Sequence, residues 1–298
     1  MKHLLMIVPL LALCLTLSGC LEPEPVEPED FWEMDETIEI QPVEEAPTVF
    51  TLPYLSSQSL NPITCSDGVQ QAAASLLYEG LFTLDAQFNV QNALCASYVR
   101  SGNGLSYTFT LRDGVTFTDG SSLTPADVVA AYRRAQVSDR YAARFANVSG
   151  IRAGRGTVIL TLLKADSALP ALLDIPIIKS GTDKYPVPIG TGPYRFVTDA
   201  DGDCLLRNEN WWGNGEGLPE RIALIAAKDA DAAAYLFTAN RAHLLTADLL
   251  SNAPAASIGG VDLSDAPTST LYYLGFNAKS GGTANKALRA AMNAALDR

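Results

Sequence analysis

Tyr107-Thr-Phe-Thr-Leu-Arg-Asp-Gly-Val-Thr-Phe117, followed by Asp119-Gly120 and Leu123-Thr-Pro-Ala-Asp-Val128, decides the class of the fold. Leu105, Tyr107, Phe109 and Leu111 alternate with polar residues, the period of a strand with one buried face. Asp113-Gly114 supplies a tight turn, and Val115 and Phe117 alternate back to a second turn at Asp119-Gly120, so the stretch predicts a β-hairpin. A helix should start directly afterwards. Thr124 stands as its N-cap, Pro125 sits where no N–H is needed, Asp127 completes a capping-box pattern, and the apolar spacing continues to about Gln136.

Working outward, the same periodicities predict strands over 49–55, 157–163, 194–197, 204–207, 221–226 and 270–277, and helices over 69–80, 230–238 and 284–297. Val69, Ala73, Leu76 and Leu77 share one face of the first helix, with Gly80 as its stop. Strands and helices do not alternate regularly, which predicts a mixed α+β architecture, a mixed sheet with helices packed on it. At about 250 residues, 49–298 suffices for one large domain or two modest ones.

The start of the chain is of a different kind. Lys2 and the apolar run from Leu4 to Leu17 end in Leu17-Ser-Gly-Cys20; the run is shorter than the ~20 apolar residues a membrane-spanning helix needs, and it reads as a secretion signal over 1–19. The four residues resemble the lipobox of bacterial lipoproteins. That resemblance implies removal of the signal and diacylglyceryl modification of the Cys20 thiol, whose acyl chains would anchor the protein in a lipid bilayer at about 0.8 kcal/mol per buried CH₂. Residues 20–48 follow as a tether with eleven carboxylates, five prolines and no lysine or arginine. Such a segment buries too little to offset its ordering entropy, and its like charges extend it. It could span up to roughly 90 Å.

Charge and cysteine usage narrow the function. The whole chain carries −12; setting aside the one lysine of the signal and the eleven tether carboxylates leaves −2 for residues 49–298. That balance argues against nucleic acid as a partner. Once Cys14 has left with the signal and Cys20 is lipidated, Cys65, Cys95 and Cys204 remain, an odd number more in keeping with buried thiols than with a disulfide framework. His243 is the sole histidine beyond the signal, too few for a multi-histidine metal site. No serine sits in a G-x-S-x-G elbow or an S-x-x-K motif. These absences point away from an enzyme, and no cofactor is implied. Gly190-Thr-Gly192 before Pro193 fits neither phosphate-loop spacing and reads as a turn, and Trp211 and Trp212 read as residues closing a core.

The order of motifs is itself informative. Leu77-Tyr-Glu-Gly-Leu-Phe82, the 107–128 stretch with Tyr132, Ile189-Gly-Thr-Gly-Pro-Tyr-Arg-Phe196, Asn208-Glu-Asn-Trp-Trp-Gly213, Tyr273-Leu-Gly-Phe-Asn277 and Asn285-Lys-Ala-Leu-Arg-Ala-Ala291 resemble, in order, the peptide and nickel class (family 5) of ABC-transporter solute-binding proteins. The resemblance implies a class II periplasmic-binding-protein-like fold whose first lobe is 49–298 and whose second lobe is largely missing. It also implies an extracytoplasmic receptor that captures peptides or other small solutes and passes them to an ABC permease. The family's loop after the first strand and its strand towards the hinge face the ligand; here they map onto 61–67 and 270–277. Thr64, Ser66, Asp67, Tyr272, Tyr273 and Asn277 are thus the expected ligand-binding residues. Asp67 is equally placed to cap the following helix, and strand alternation lets one of the two tyrosines face the cleft. With the second lobe absent, a truncated gene product, a piece of a longer receptor and half of a split one remain open. A surface or sensing lipoprotein derived from such a receptor is the alternative function.

Overall fold

The computed structural model describes residues 49–246, 261–264 and 274–295. The expected signal, tether and Cys20, together with Tyr272 and Tyr273, lie outside the described residues. In chain order the elements are β1 (Thr51–Leu55), α1 (Gly68–Ser75), β2 (Phe82–Leu84), β3 (Val90–Asn92), β4 (Cys95–Arg100), β5 (Ser106–Leu111), α2 (Pro125–Ala135), β6 (Val148–Ala153), β7 (Thr157–Leu162), β8 (Tyr194–Asp199), β9 (Gly202–Arg207), β10 (Arg221–Ala227), α3 (Ala230–Thr238) and α4 (Lys286–Ala294).

They form a mixed sheet in the order β1-β10-β9-β8, an antiparallel sheet β4-β5-β7-β6 and a small ribbon β2-β3. In the mixed sheet β1 runs parallel to β10, while the other pairs are antiparallel. The antiparallel sheet owes its position to alternation: Tyr107, Phe109 and Leu111 of β5, with Val158, Leu160 and Leu162 of β7, point into one core, where Val128, Ala131 and Tyr132 of α2 meet them. A second core lies under the mixed sheet, where Leu52, Tyr54, Tyr194, Leu205 and Ile222 pack on Ala73, Ala74 and Leu77. Fully burying each large apolar side chain contributes about 1.5–3 kcal/mol.

The helix predicted after Thr124 forms as expected. Asp127 accepts hydrogen bonds from the Thr124 backbone N–H (3.0 Å) and hydroxyl (2.6 Å), and its second oxygen accepts from the Ser180 N–H (3.0 Å).

Other expectations need correction. Residues 107–117 are not a hairpin: both edges of β5 are occupied, by β4 and β7, and Val115 and Phe117 leave the sheet to fill the core from a loop. The second turn does close, through a single bridge between Thr116 and Ser122. The helix predicted over 69–80 ends at Ser75, because the carbonyls of Leu76 and Leu77 are taken by the N–H groups of Tyr194 (3.1 Å) and Gly192 (3.0 Å). Of the strand predicted over 270–277, residues 270–273 lie outside the described residues and 274–277 are not in a strand. Alternation did not reveal β2, β3, β4 or β6. The first two are very short, and β4 and β6 are sheet edges with largely exposed residues.

Candidate functional site

The connection from β1 to α1 is long for two adjacent elements, yet it is held at several points. Gln70, on the buried face of α1, is itself fully buried; its Oε1 accepts from the Leu55 N–H (2.8 Å), and its Nε2 donates to the carbonyls of Leu55 (3.1 Å) and Gln58 (3.1 Å). It thus satisfies the backbone at the end of β1, where a neighbouring strand would otherwise be needed. Asn61 donates to the Asp183 carbonyl (3.0 Å) and accepts from the Ile63 N–H (3.0 Å), while the Leu60 N–H reaches the Pro186 carbonyl (2.8 Å). Arg140, just beyond α2, donates to the Cys65 carbonyl (3.0 Å) and to Gln71 Oε1 (2.8 Å). Arg134 pairs with Asp183 (3.0 Å) beneath the same loop.

On this frame Thr64 and Ser66 are exposed and Asp67 is partly exposed. Asp67 is the N-cap of α1, its Oδ1 accepting from the Val69 N–H (2.8 Å), so its capping role is realised. Asn277 is exposed and engaged locally: its carbonyl oxygen accepts from the Lys279 N–H (3.0 Å), and its amide donates to Ser280 (2.9 Å). Among the described residues the structure brings Thr64, Ser66 and Asp67 into one loop and gives Asn277 no hydrogen bond to it. The polar groove of about 360 Å³ lined by Arg207, Asn208, Glu209, Trp211, Gly213, Gly215 and Glu216 contains none of the expected ligand residues.

The second polar centre is Glu79. Its Oε1 accepts from Trp211 Nε1 (3.1 Å), and its Oε2 accepts from Trp212 Nε1 (3.0 Å) and the Thr191 hydroxyl (2.9 Å). Burial pushes this carboxyl above the usual range; the bonds from Trp212, Thr191 and Trp211 and the Arg112 charge pull the other way without cancelling it. Arg112 lies over the Trp212 ring, 4.1 Å from its centroid. A buried carboxylate that accepts from three donors on distant segments serves as an anchor. It joins the segment after α1 to the Gly190–Gly192 bend and to the two tryptophans, of which Trp212 packs against the larger core as expected. The bend is more than a turn: a Cβ on Gly190 would lie 2.1 Å from the Leu77 carbonyl oxygen, and one on Gly192 2.5 Å from the Leu77 carbonyl carbon. Sequence reasoning missed Gln70, Arg140 and Glu79. A glutamine inside the Val69–Ala74 apolar face was the one available signal, for Gln70.

Residues 89–298 match the family model described as bacterial extracellular solute-binding proteins, family 5, middle. The chain belongs to this family. As a family 5 solute-binding protein it has homologues that are binding components of ABC importers, not enzymes. It is 30% identical over 256 residues to the glutathione-binding protein GsiB of Salmonella typhi, an alignment covering 80% of this chain and 50% of that one. The structure of NikA from Brucella suis in complex with Fe(III)-EDTA superposes with a TM-score of 0.52 at 24% identity, over 64% of this chain and 42% of that one. The oligopeptide-binding protein AppA from Bacillus subtilis, in complex with a nonapeptide, gives 0.52 at 22% identity, over 65% and 42%. These likenesses establish the class II periplasmic-binding-protein fold for the solute-binding protein. The chain spans about half the length of the curated relatives it matches.

Proposed function

We propose that this chain supplies the first lobe of an extracytoplasmic solute receptor for an ABC importer, with oligopeptides as the most fitting cargo. The observation that carries the proposal is the braced loop 61–67 in a chain of this family: Gln70, Asn61 and Arg140 hold it so that Thr64 and Ser66 present free faces. In this reading Thr64, Ser66 and the outer oxygen of Asp67 meet the ligand from this lobe, and Tyr272 or Tyr273 with Asn277 meets it from the segment towards the hinge. The GsiB relatives, named for glutathione binding, and AppA, seen with a nonapeptide, support a peptide-like cargo. The receptor is held at the membrane by acylated Cys20, with residues 21–48 as spacer, and hands its cargo to a membrane permease.

The test is thermal unfolding of the chain with di- to nonapeptides and glutathione, supplied on its own and within any longer product of its gene. A ligand at 100 times its Kd should stabilise by about 2.7 kcal/mol, and Thr64→Ala with Asp67→Asn should reduce the shift. Absence of any shift across the peptide set in the longest product would refute the cargo. Incorporation of labelled palmitate in producing cells, lost on Cys20→Ser, checks the anchor; undiminished labelling of that variant would refute it. A gene isolated from any permease, with no solute bound, would favour the surface or sensing lipoprotein instead.

A further inference from the structure

Arg140 is exposed, yet its guanidinium is held in place. Its Nη1 donates to the Cys65 carbonyl (3.0 Å) and its Nη2 to Gln71 Oε1 (2.8 Å), while Gln71 Nε2 donates to the Ser66 carbonyl (2.9 Å). The group also stands over the buried ring of Tyr141, 5.1 Å from its centroid. Bonds from two different nitrogens and a ring contact fix the guanidinium against the loop that carries Thr64 and Ser66. Those bonds use two of its five N–H donors, and the others are left for a further acceptor. A long side chain that is already ordered loses little conformational freedom when a ligand binds to it.

What the group lacks is a counter-charge. Arg134, Arg144, Arg207 and Arg221 each pair with a carboxylate. Arg140 meets only neutral acceptors: among the described residues no carboxylate forms an ion pair with it, neither Asp139 beside it in the chain nor Asp67 on the loop. The side chains next to it are donors as well. Ser66 is exposed and its hydroxyl makes no hydrogen bond among the described residues, and the Thr64 hydroxyl reaches only the Asn61 carbonyl, at 3.5 Å. Hydroxyl and guanidinium donors side by side suit an anion with two oxygens. Asp67, which caps α1 through one oxygen, adds a negative charge to the same loop. That charge weighs against a bare inorganic anion and favours a ligand carrying both signs, as a peptide does.

We propose that Arg140 is a specificity-determining residue of the receptor, its guanidinium taking a carboxylate of the bound peptide while Ser66 and Thr64 donate to the same group. The assignment deepens the peptide-receptor reading above and rests on it. Bracing and recognition then fall to one side chain: the nitrogens turned to Cys65 and Gln71 set the position from which the remaining donors meet the ligand. An arginine that only braced the loop would serve acidic and neutral ligands alike, whereas one that binds a carboxylate separates them.

The experiment measures, by isothermal titration calorimetry, the binding of Ala-Ala-Ala, its C-terminal amide and Ala-Glu-Ala amide to the longest product of the gene and to its Arg140→Gln and Arg140→Lys variants. The parent should bind the acid at least about tenfold more tightly than the amide, the effect of one hydrogen bond to a charged group, and the ratio should fall below about threefold in Arg140→Gln. Arg140→Lys keeps the charge without the planar fork, so its ratio should lie between the two, and it decides the matter if Arg140→Gln does not fold. Tighter binding of Ala-Glu-Ala amide than of the trialanine amide assigns the contact to a side-chain carboxylate; equal binding of the two assigns it to the C-terminus. The ratio is the deciding readout, because a loop that has merely lost a brace weakens both forms equally. An unchanged ratio in either variant, or a parent that binds acid and amide equally, overturns the assignment and leaves the peptide cargo standing. Binding of succinate but not of its diamide, with no peptide bound and the binding lost in Arg140→Gln, upholds the carboxylate contact and fails the cargo reading. Binding of none of these probes fails both.

Discussion

Glu79 shows what one residue can hold together. Three donors converge on its carboxylate, and Glu79→Ala leaves them without an acceptor, at about 1 kcal/mol each and so about 3 kcal/mol in all. Its titration adds a pH dependence of definite sign. A carboxyl whose folded pKa lies above its unfolded one keeps a proton that the unfolded chain has released, so stability falls as pH rises from the ordinary glutamate value through the folded one. Glu79→Gln, neutral throughout, should lack that fall. With any constant offset removed at about pH 4, the urea midpoint of the parent should therefore drop progressively below that of the variant towards about pH 8; parallel curves would contradict this. The thiols are a second case. Cys65, Cys95 and Cys204 are all free and buried, and burial pushes Cys95 up to about 11 and raises the other two. A thiol-reactive dye should titrate them only after denaturation; rapid reaction of the native chain would show that the interior opens.

Among the elements, α1 and the Gly190–Gly192 bend depend on one another. The helix stops where its last carbonyls turn to the bend, and the bend reaches them because neither glycine has a Cβ. Gly192→Ala places a methyl against backbone on both sides, 2.5 Å from the Leu77 carbonyl carbon and 2.6 Å from the Leu76 carbonyl oxygen. The expected cost is about 3 kcal/mol, near the upper end for overpacking. Gly102→Ala, with nothing within 4 Å of the new atom, should change stability by less than about 0.5 kcal/mol. Equal effects in chemical denaturation would refute the packing account. The α2 helix is the opposite kind of element, its start written locally: Thr124, Pro125 and Asp127 fix it within a turn, and the structure adds the Ser180 N–H as a further partner of Asp127.

For the whole molecule, the described residues, from 49 onward, belong to one compact unit by their internal contacts. A chain beginning at Thr48 is expected to unfold within about 0.5 kcal/mol of one that also carries the acidic segment 21–48, whose composition buries little apolar surface; a larger loss would show that the acidic segment contributes packing. What the sequence determined by itself was whatever neighbours within a few residues decide. Alternation in β5 and β7, the capped start of α2, the bounds of α3 and the ordered motifs of the family were legible because period and capping act over two to four positions. In the candidate site the same locality made Asp67 readable as a cap, next to the exposed Thr64 and Ser66. Only the tertiary structure decided which strands flank β5, why α1 ends early, and that Gln70 and Arg140 brace the loop. The same holds for Glu79, whose three donors lie 112, 132 and 133 positions away. A strand's alternation says which face is buried but not which backbone lies beside it, and a buried polar group reveals its partners only when distant segments have been packed around it.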